Sequence, residues 1–271
     1  MEHQRTCAAT VSTESVRLPG TMSDTLLTKL DSGVLTLTFN RPEKKNAFTH
    51  AMYEAATRAL KDAEGNVDVR AVLLTGAGNV FTAGNDIGDF MEHPPAGEDS
   101  AVFRFLRALV DADKPVLAAV DGPAVGIGTT MLLHCDYVVA SERARFHMPF
   151  VQLGLCAEGA SSLLIPRTAG FALASELLLF GEPFDAATAL RAGIINKVVP
   201  DASLQQVATE RATTLASRPA EAVRVTKRLI REPLRAQIRE TLAREGGEFI
   251  QRLQSTEAQE AFMSFMSRGR K

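Results

Sequence analysis

Two glycine-containing turns carry the most suggestive chemistry in this chain. The first, Phe81-Thr82-Ala83-Gly84-Asn85-Asp86-Ile87, follows a short apolar run at residues 70–75. The second, Asp121-Gly122-Pro123-Ala124-Val125-Gly126-Ile127-Gly128, follows another at residues 116–120. Runs of this kind read as strands buried on both faces. Both turns then lie at carboxyl ends of core strands, the edge where α/β sheets bind ligands. Glycine there lets backbone N–H groups approach a ligand closely. The second turn passes directly into a helical pattern, so its amides also carry the positive end of a helix dipole. Two amides converging on one oxygen form an oxyanion hole. Taken singly, each turn reads as a tight bend.

Other chemistries find less support. His3, His50, His93, His134 and His147 show no zinc-ligand spacing. Gly126-Ile127-Gly128 starts like a dinucleotide fingerprint, but its third glycine falls at Met131; Gly76-Ala77-Gly78 puts Phe81 in that place. Neither a G-x-S-x-G elbow nor a P-loop is present. Three cysteines (Cys7, Cys135, Cys156) without C-x-x-C spacing suggest a reducing, cytoplasmic setting. With 30 Lys and Arg against 32 Asp and Glu, the net charge of −2 argues against nucleic acid as a partner.

Positioning these turns requires a core, and 271 residues at 45% hydrophobic and 23% charged can bury one. The alternation Leu35-Thr36-Leu37-Thr38-Phe39 predicts a half-buried strand. Thr49 predicts an N-cap for a helix to about Glu64, stopped at Gly65-Asn66. Strands at 70–75, 116–120 and 137–140 alternate with helical stretches at 98–110, 128–134, 171–180 and 186–192, and nearly everything from 201 onward is helical. This predicts an α/β core of mainly parallel strands over residues 23–200 and a helical region over 201–271. Residues 1–22, polar and weakly patterned, read as a flexible arm. No apolar run approaches the roughly 18 residues that cross a bilayer, and no signal peptide is expected.

The two turns and their surroundings resemble the enoyl-CoA hydratase/isomerase (crotonase) superfamily. The matching segments are Asn40-Arg41-Pro42 with Asn46-Ala47, both turns, and Ala192-Gly193-Ile194-Ile195 before Val198-Val199-Pro200, in order over about residues 25–267. The resemblance implies a crotonase-like α/β spiral of β-β-α turns with a C-terminal helical trimerisation region. It also implies an acyl-CoA thioester substrate, no separate cofactor and no metal, and a homotrimer or homohexamer. On the family's motif, the oxyanion-hole amides fall at Asn85 and Ile127.

The acid departs from the commonest family pattern. Where hydratases of the family carry two glutamates, this chain has Thr130 and Phe150, and neither side chain exchanges protons near neutral pH. The next available acid is Glu158, which by local reading is a loop glutamate capping the following helix. The stretch from Phe146-His147-Met148-Pro149-Phe150 through Leu153-Gly154, Glu158-Gly159 and Ser161-Ser162 resembles peroxisomal-type Δ3,Δ2-enoyl-CoA isomerases. In those enzymes one glutamate at this position shuttles a proton between C2 and C4. Leu153, Leu155 and Ala157 are expected to raise the Glu158 pKa by desolvation.

The resemblance assigns substrate binding to Lys44, Lys45, Ala47, Ala83, Asp86, Ile87, Gly126, Thr130 and Phe150. Arg224, Lys227, Arg228 and Arg231 read as a solvated helix face, or as phosphate contacts for CoA on an adjacent subunit. A hydratase, a dehalogenase-like enzyme and a non-catalytic RNA-binding member are the alternatives. The C-terminal Arg268-Gly269-Arg270-Lys271 is not a peroxisomal address.

Overall fold

The computed structural model describes residues 24–268; the expected arm at 1–22 and Gly269-Arg270-Lys271 lie outside them. The chain opens with a hairpin of β1 (Leu26–Asp31) and β2 (Val34–Phe39). Thr49 then caps α1 (His50–Gly65), its hydroxyl accepting from the Met52 amide, as the sequence predicts. There follow β3 (Ala71–Gly76), α2 (Ile87–Glu92), α3 (Ala101–Asp111), β4 (Val116–Val120), β5 (Pro123–Val125) and α4 (Ile127–Thr130). Next come β6 (Tyr137–Ser141), β7 (Arg145–His147), α5 (Ser161–Ser175), β8 (Phe184–Asp185), α6 (Ala186–Arg191) and β9 (Lys197–Val199). Three helices end the chain: α7 (Leu204–Ala216), α8 (Ala220–Leu253) and α9 (Thr256–Arg268).

A six-stranded sheet in the order β1-β2-β3-β4-β6-β9 is parallel except at the β1–β2 hairpin. Alternate side chains of its central strands enter different cores. Val72 and Leu74 pack in the main cluster with α1 and α3, whereas Ala71, Leu73, Leu117 and Ala119 pack against Leu204, Ala208 and Ala212 of α7. Burial on both faces is why these strands read as continuous apolar runs. It also makes α7 a layer of the core, so the helical region does not begin as a separate extension.

Two strands of this sheet lead into the same succession of a short strand and a helix. After β4 the chain enters β5 and then α4; after β6 it enters β7 and then α5. Strands β5, β7 and β8 form a second, three-stranded sheet. Single bridges extend that layer, Thr82 to Ala124 and Phe48 to Asn85. The sequence expectation of one long turn at 121–128 is corrected here: Pro123–Val125 is a strand, too short to show a period.

The expected helix at 171–180 begins earlier, at Ser161. Ser161–Phe180, although interrupted by Arg167 and Glu176, is long and apolar enough to cross a membrane by length and composition, with mean hydropathy 1.5. It is not one straight rod, because Gly170 (φ 77°, ψ 161°) leaves helical geometry in its middle.

Candidate active site

The two glycine turns are hydrogen-bonded to each other. The Thr82 amide donates to the Pro123 carbonyl, and the Val125 amide donates back to the Thr82 carbonyl, each at 3.0 Å. A Cβ on Gly84 would lie 2.7 Å from the Val125 carbonyl oxygen, and its φ of +85° suits glycine alone. The close approach that glycine permits here is therefore loop against loop. Gly84 O accepts from the Phe48 amide and the Asp86 amide donates to Phe48 O. In a strand pair the intervening residue turns its N–H away from the partner, so the Asn85 N–H is not bonded to Phe48. Ile127 is the first residue of α4, where an amide has no acceptor within its own helix. Both residues line one cavity of about 370 Å³, with Ala83, Gly84, Ile87, Val125 and Gly126 beside them.

Glu158 lines the same cavity and is only 6% exposed. Its turn is tightly held. The Thr130 hydroxyl donates to its carboxylate, and a Cβ on Gly159 would lie 2.8 Å from that hydroxyl oxygen. His134 Nε2 lies 2.9 Å from the Gly159 carbonyl, which only accepts, so the ring is assigned as the Nε2–H tautomer. Ala160 sits at φ 57°, a left-handed conformation that costs a side-chain-bearing residue about 1–2 kcal/mol. Glu245 of α8 offsets that strain by accepting from the Ala160 amide at 2.6 Å, the Ser162 amide at 3.0 Å and the Ser162 hydroxyl at 2.5 Å. Glu245 thus caps α5, the part that local sequence reading gives to Glu158. Burial pushes the Glu158 carboxyl up to about 8, the Thr130 hydroxyl opposing the rise and the Glu245 charge adding to it. Burial holds His134 down at about 4, so that ring is neutral.

Among the substrate-binding residues implied by sequence, Ala83, Ile87, Gly126 and Phe150 line the cavity with Asn85, Ile127 and Glu158. Five do not. Thr130 lies fully buried beneath Glu158 and acts on the acid. Asp86 caps α2 and pairs with Arg41 at 3.1 Å, and the Ala47 carbonyl accepts from the same guanidinium. Lys44 and Lys45 are exposed on a turn tied to the first loop, where the Ala83 amide donates to the Lys45 carbonyl at 2.9 Å. The basic set on α8 is also corrected in part. Lys227 is buried and pairs with Asp136 at 2.7 Å, Arg231 pairs with the same carboxylate, and Arg224 pairs with Asp113. Arg228 is exposed with no ion pair among the described residues, and the paired Arg224 side chain stays 43% exposed.

Sequence reasoning missed the C-terminal contribution. Phe249 of α8 and Ala261 and Phe262 of α9 complete the cavity, joined by Phe90 and Phe103. The Phe249 ring stands edge-on to Phe90 and Phe150, with centroids 6.4 and 6.5 Å apart. The surviving sequence signal is a phenylalanine pattern within helices that read as polar. His147 also lines the cavity, its ring Nε2 lying 2.8 Å from the Gly181 carbonyl. An apolar cavity lined by one ionisable carboxyl and by the two residues of the glycine turns, Asn85 and Ile127, can accept an acyl thioester and move a proton.

Comparison with known proteins shows the family and the fold. The sequence model for enoyl-CoA hydratase/isomerase matches residues 29–271. Human enoyl-CoA delta isomerase 2 is 37% identical over 252 residues, 90% of this chain; the chain spans 64% of that relative's length. A probable enoyl-CoA hydratase of Rhodobacter capsulatus is 34% identical, over 88% of this chain and 95% of its own. The solved structure of Pseudomonas aeruginosa OdaA superposes with a TM-score of 0.88 at 46% identity, covering 90% of this chain and 99% of that one.

Proposed function

The chain belongs to the enoyl-CoA hydratase/isomerase family and has its fold, and on that premise we propose that it shifts the double bond of a 3-enoyl-CoA to the 2-enoyl position. The thioester carbonyl oxygen lies between the amides of Asn85 and Ile127. The Glu158 carboxylate removes a proton from C2, and the electron pair delocalises through the carbonyl onto the oxygen, where the two amides stabilise it. Protonated Glu158 then returns that proton to C4 as the double bond moves from C3–C4 to C2–C3. Nothing is gained or lost overall, so the reaction needs no cofactor. The observation that carries this reading is the single carboxyl among the described lining residues, set in an apolar wall. Its raised pKa suits a group that must both take and give a proton near neutral pH.

Lys44, Lys45 and Arg228, exposed in the structure, are the proposed CoA phosphate contacts. The proposal extends to a homotrimer or homohexamer, supported by the exposed Phe171, Leu179, Phe180, Leu229 and Ile230. It also includes a cytoplasmic setting, supported by free thiols at Cys135 and Cys156.

Spectrophotometric comparison of 3-hexenoyl-CoA isomerisation with crotonyl-CoA hydration tests the reaction; faster hydration overturns it in favour of a hydratase. Glu158→Gln is expected to lower isomerase kcat by about 10²- to 10⁴-fold. Turnover within about tenfold of the parent removes Glu158 from the mechanism.

A further inference from the structure

We propose that Glu245, on α8, is the positioning residue of the proton shuttle, its carboxylate clamping the turn that aims Glu158 into the cavity. The inference rests on the proposed role of Glu158 as the shuttle. A carboxylate only 6% exposed is costly unless satisfied, and the three groups that meet this one are all donors. Donors favour the ionised form, so the clamp brings a negative charge close to the acid it positions. Burial raises the Glu245 carboxyl itself, with the Ser162 and Ala160 hydrogen bonds and Arg244 pulling it back.

Arg244 beside Glu245, and Glu248 and Arg252 beside Cys156, are the charged neighbours on α8; the remaining ionisable groups around the pair contribute little charge. Burial holds His134 on the 3-10 turn after α4 and His147 on β7 below the usual histidine range, and drives the Cys156 thiol up to about 11. Tyr53 of α1 is driven well above the ordinary phenol range by burial, and further by Glu158 and Asp89. Glu245 is thus the neighbour that adds charge to Glu158.

A helix cap alone would not require this arrangement. The N-cap residue of α5 is Ala160, which has no capping side chain, and the cap arrives instead from α8. One turn further along α8, Phe249 forms a wall of the cavity. Gly246 lets α8 sit this deep, because a Cβ there would lie 3.0 Å from the Phe103 ring. Anchor and cavity wall therefore move together with one helix.

The test reads Glu158 directly, by infrared difference titration of the carboxyl band that Glu158→Gln abolishes. In Glu245→Gln the Glu158 midpoint is expected to fall by about one pH unit, since a like charge is lost. Isomerase kcat should fall about tenfold or more, with KM within about threefold. Glu245→Asp keeps the charge but shortens the reach, so its midpoint should stay within about 0.3 unit of the parent while kcat falls. An unchanged midpoint and kcat in Glu245→Gln overturn the proposal. If that variant does not fold, Ser162→Ala serves: a loosened clamp predicts a kcat loss of about threefold or more, and an unaltered kcat overturns it. The infrared band does not depend on turnover. A Glu158 that titrates as expected yet is dispensable for isomerisation sinks the proposed reaction and leaves the clamp standing. A Glu158 essential for turnover whose midpoint ignores Glu245 sinks the clamp alone.

Discussion

The two walls of the cavity are built from different materials. The amide wall is backbone bonded to backbone, with Thr82 to Pro123, Val125 to Thr82 and Gly84 to Phe48 stitched across short segments of the second layer. The acid wall is a strained turn held by side chains of Thr130, His134 and Glu245. A backbone-built wall depends on where glycine is allowed and little on the side chains flanking it. A wall built from side chains depends on each of them, and Thr130 and Glu245 bear on the charge state of the acid as well as on its position.

Beyond Glu158 itself, substitutions can break that contrast, and the largest of their effects is expected at Gly84. Gly84→Val puts a branched side chain at φ +85° against the Val125 carbonyl and displaces the Asn85 amide. Loss of one oxyanion donor predicts a kcat fall of about 10²- to 10³-fold with the Glu158 pH limb unmoved, measured as a pH–rate profile.

A smaller effect is expected on the acid wall at Thr130. Its hydroxyl lowers the Glu158 pKa, so Thr130→Val should raise it further. The acid limb of kcat/KM, near 8 in the parent, then moves to higher pH, and activity at neutral pH falls by about threefold to tenfold.

Stability separates the walls differently. Glu158 is raised in the folded state, so the native protein binds its proton more tightly than the unfolded chain does. That contribution is full at low pH and is lost as pH rises from the ordinary carboxyl range through about 8. Glu158→Gln should therefore unfold at a higher temperature than the parent at about pH 9 and at a similar temperature at about pH 5, by calorimetry. A lower midpoint at the alkaline pH would contradict the desolvation of this carboxyl.

The smallest effect is expected for side chains on the amide wall. Ile127→Val should leave kcat within about threefold, since in the proposed reaction the amide and not the side chain meets the oxyanion. A large loss there, by the same rate assay, would erase the contrast between the walls.

Legibility in the sequence divides along the same line. The strands β2, β3, β4 and β6, the Thr49 cap and both glycine turns are written in local pattern, as apolar runs, one hydroxyl and glycines at strand ends. Strands β5, β7 and β8 have two or three residues each, too few for any periodicity, and exist because the second layer pairs them. Thr130 was legible as a departure from a family pattern, but its grip on Glu158 was not. Glu245 lies in Ala243-Arg244-Glu245-Gly246-Gly247, where nothing local sets it apart from the exposed glutamates of the same helix.

By itself the sequence determined the alternating α/β core and the two glycine turns, because these depend on residue type and near-neighbour spacing; Glu158 came forward only through the resemblance to a family. The tertiary structure decided that the two turns bond to each other, that α7 belongs to the core, and that α8 reaches back to hold and charge the acid. Those contacts join residues far apart in the chain, and a carboxyl's pKa depends on which groups surround it in space rather than on which precede it in sequence.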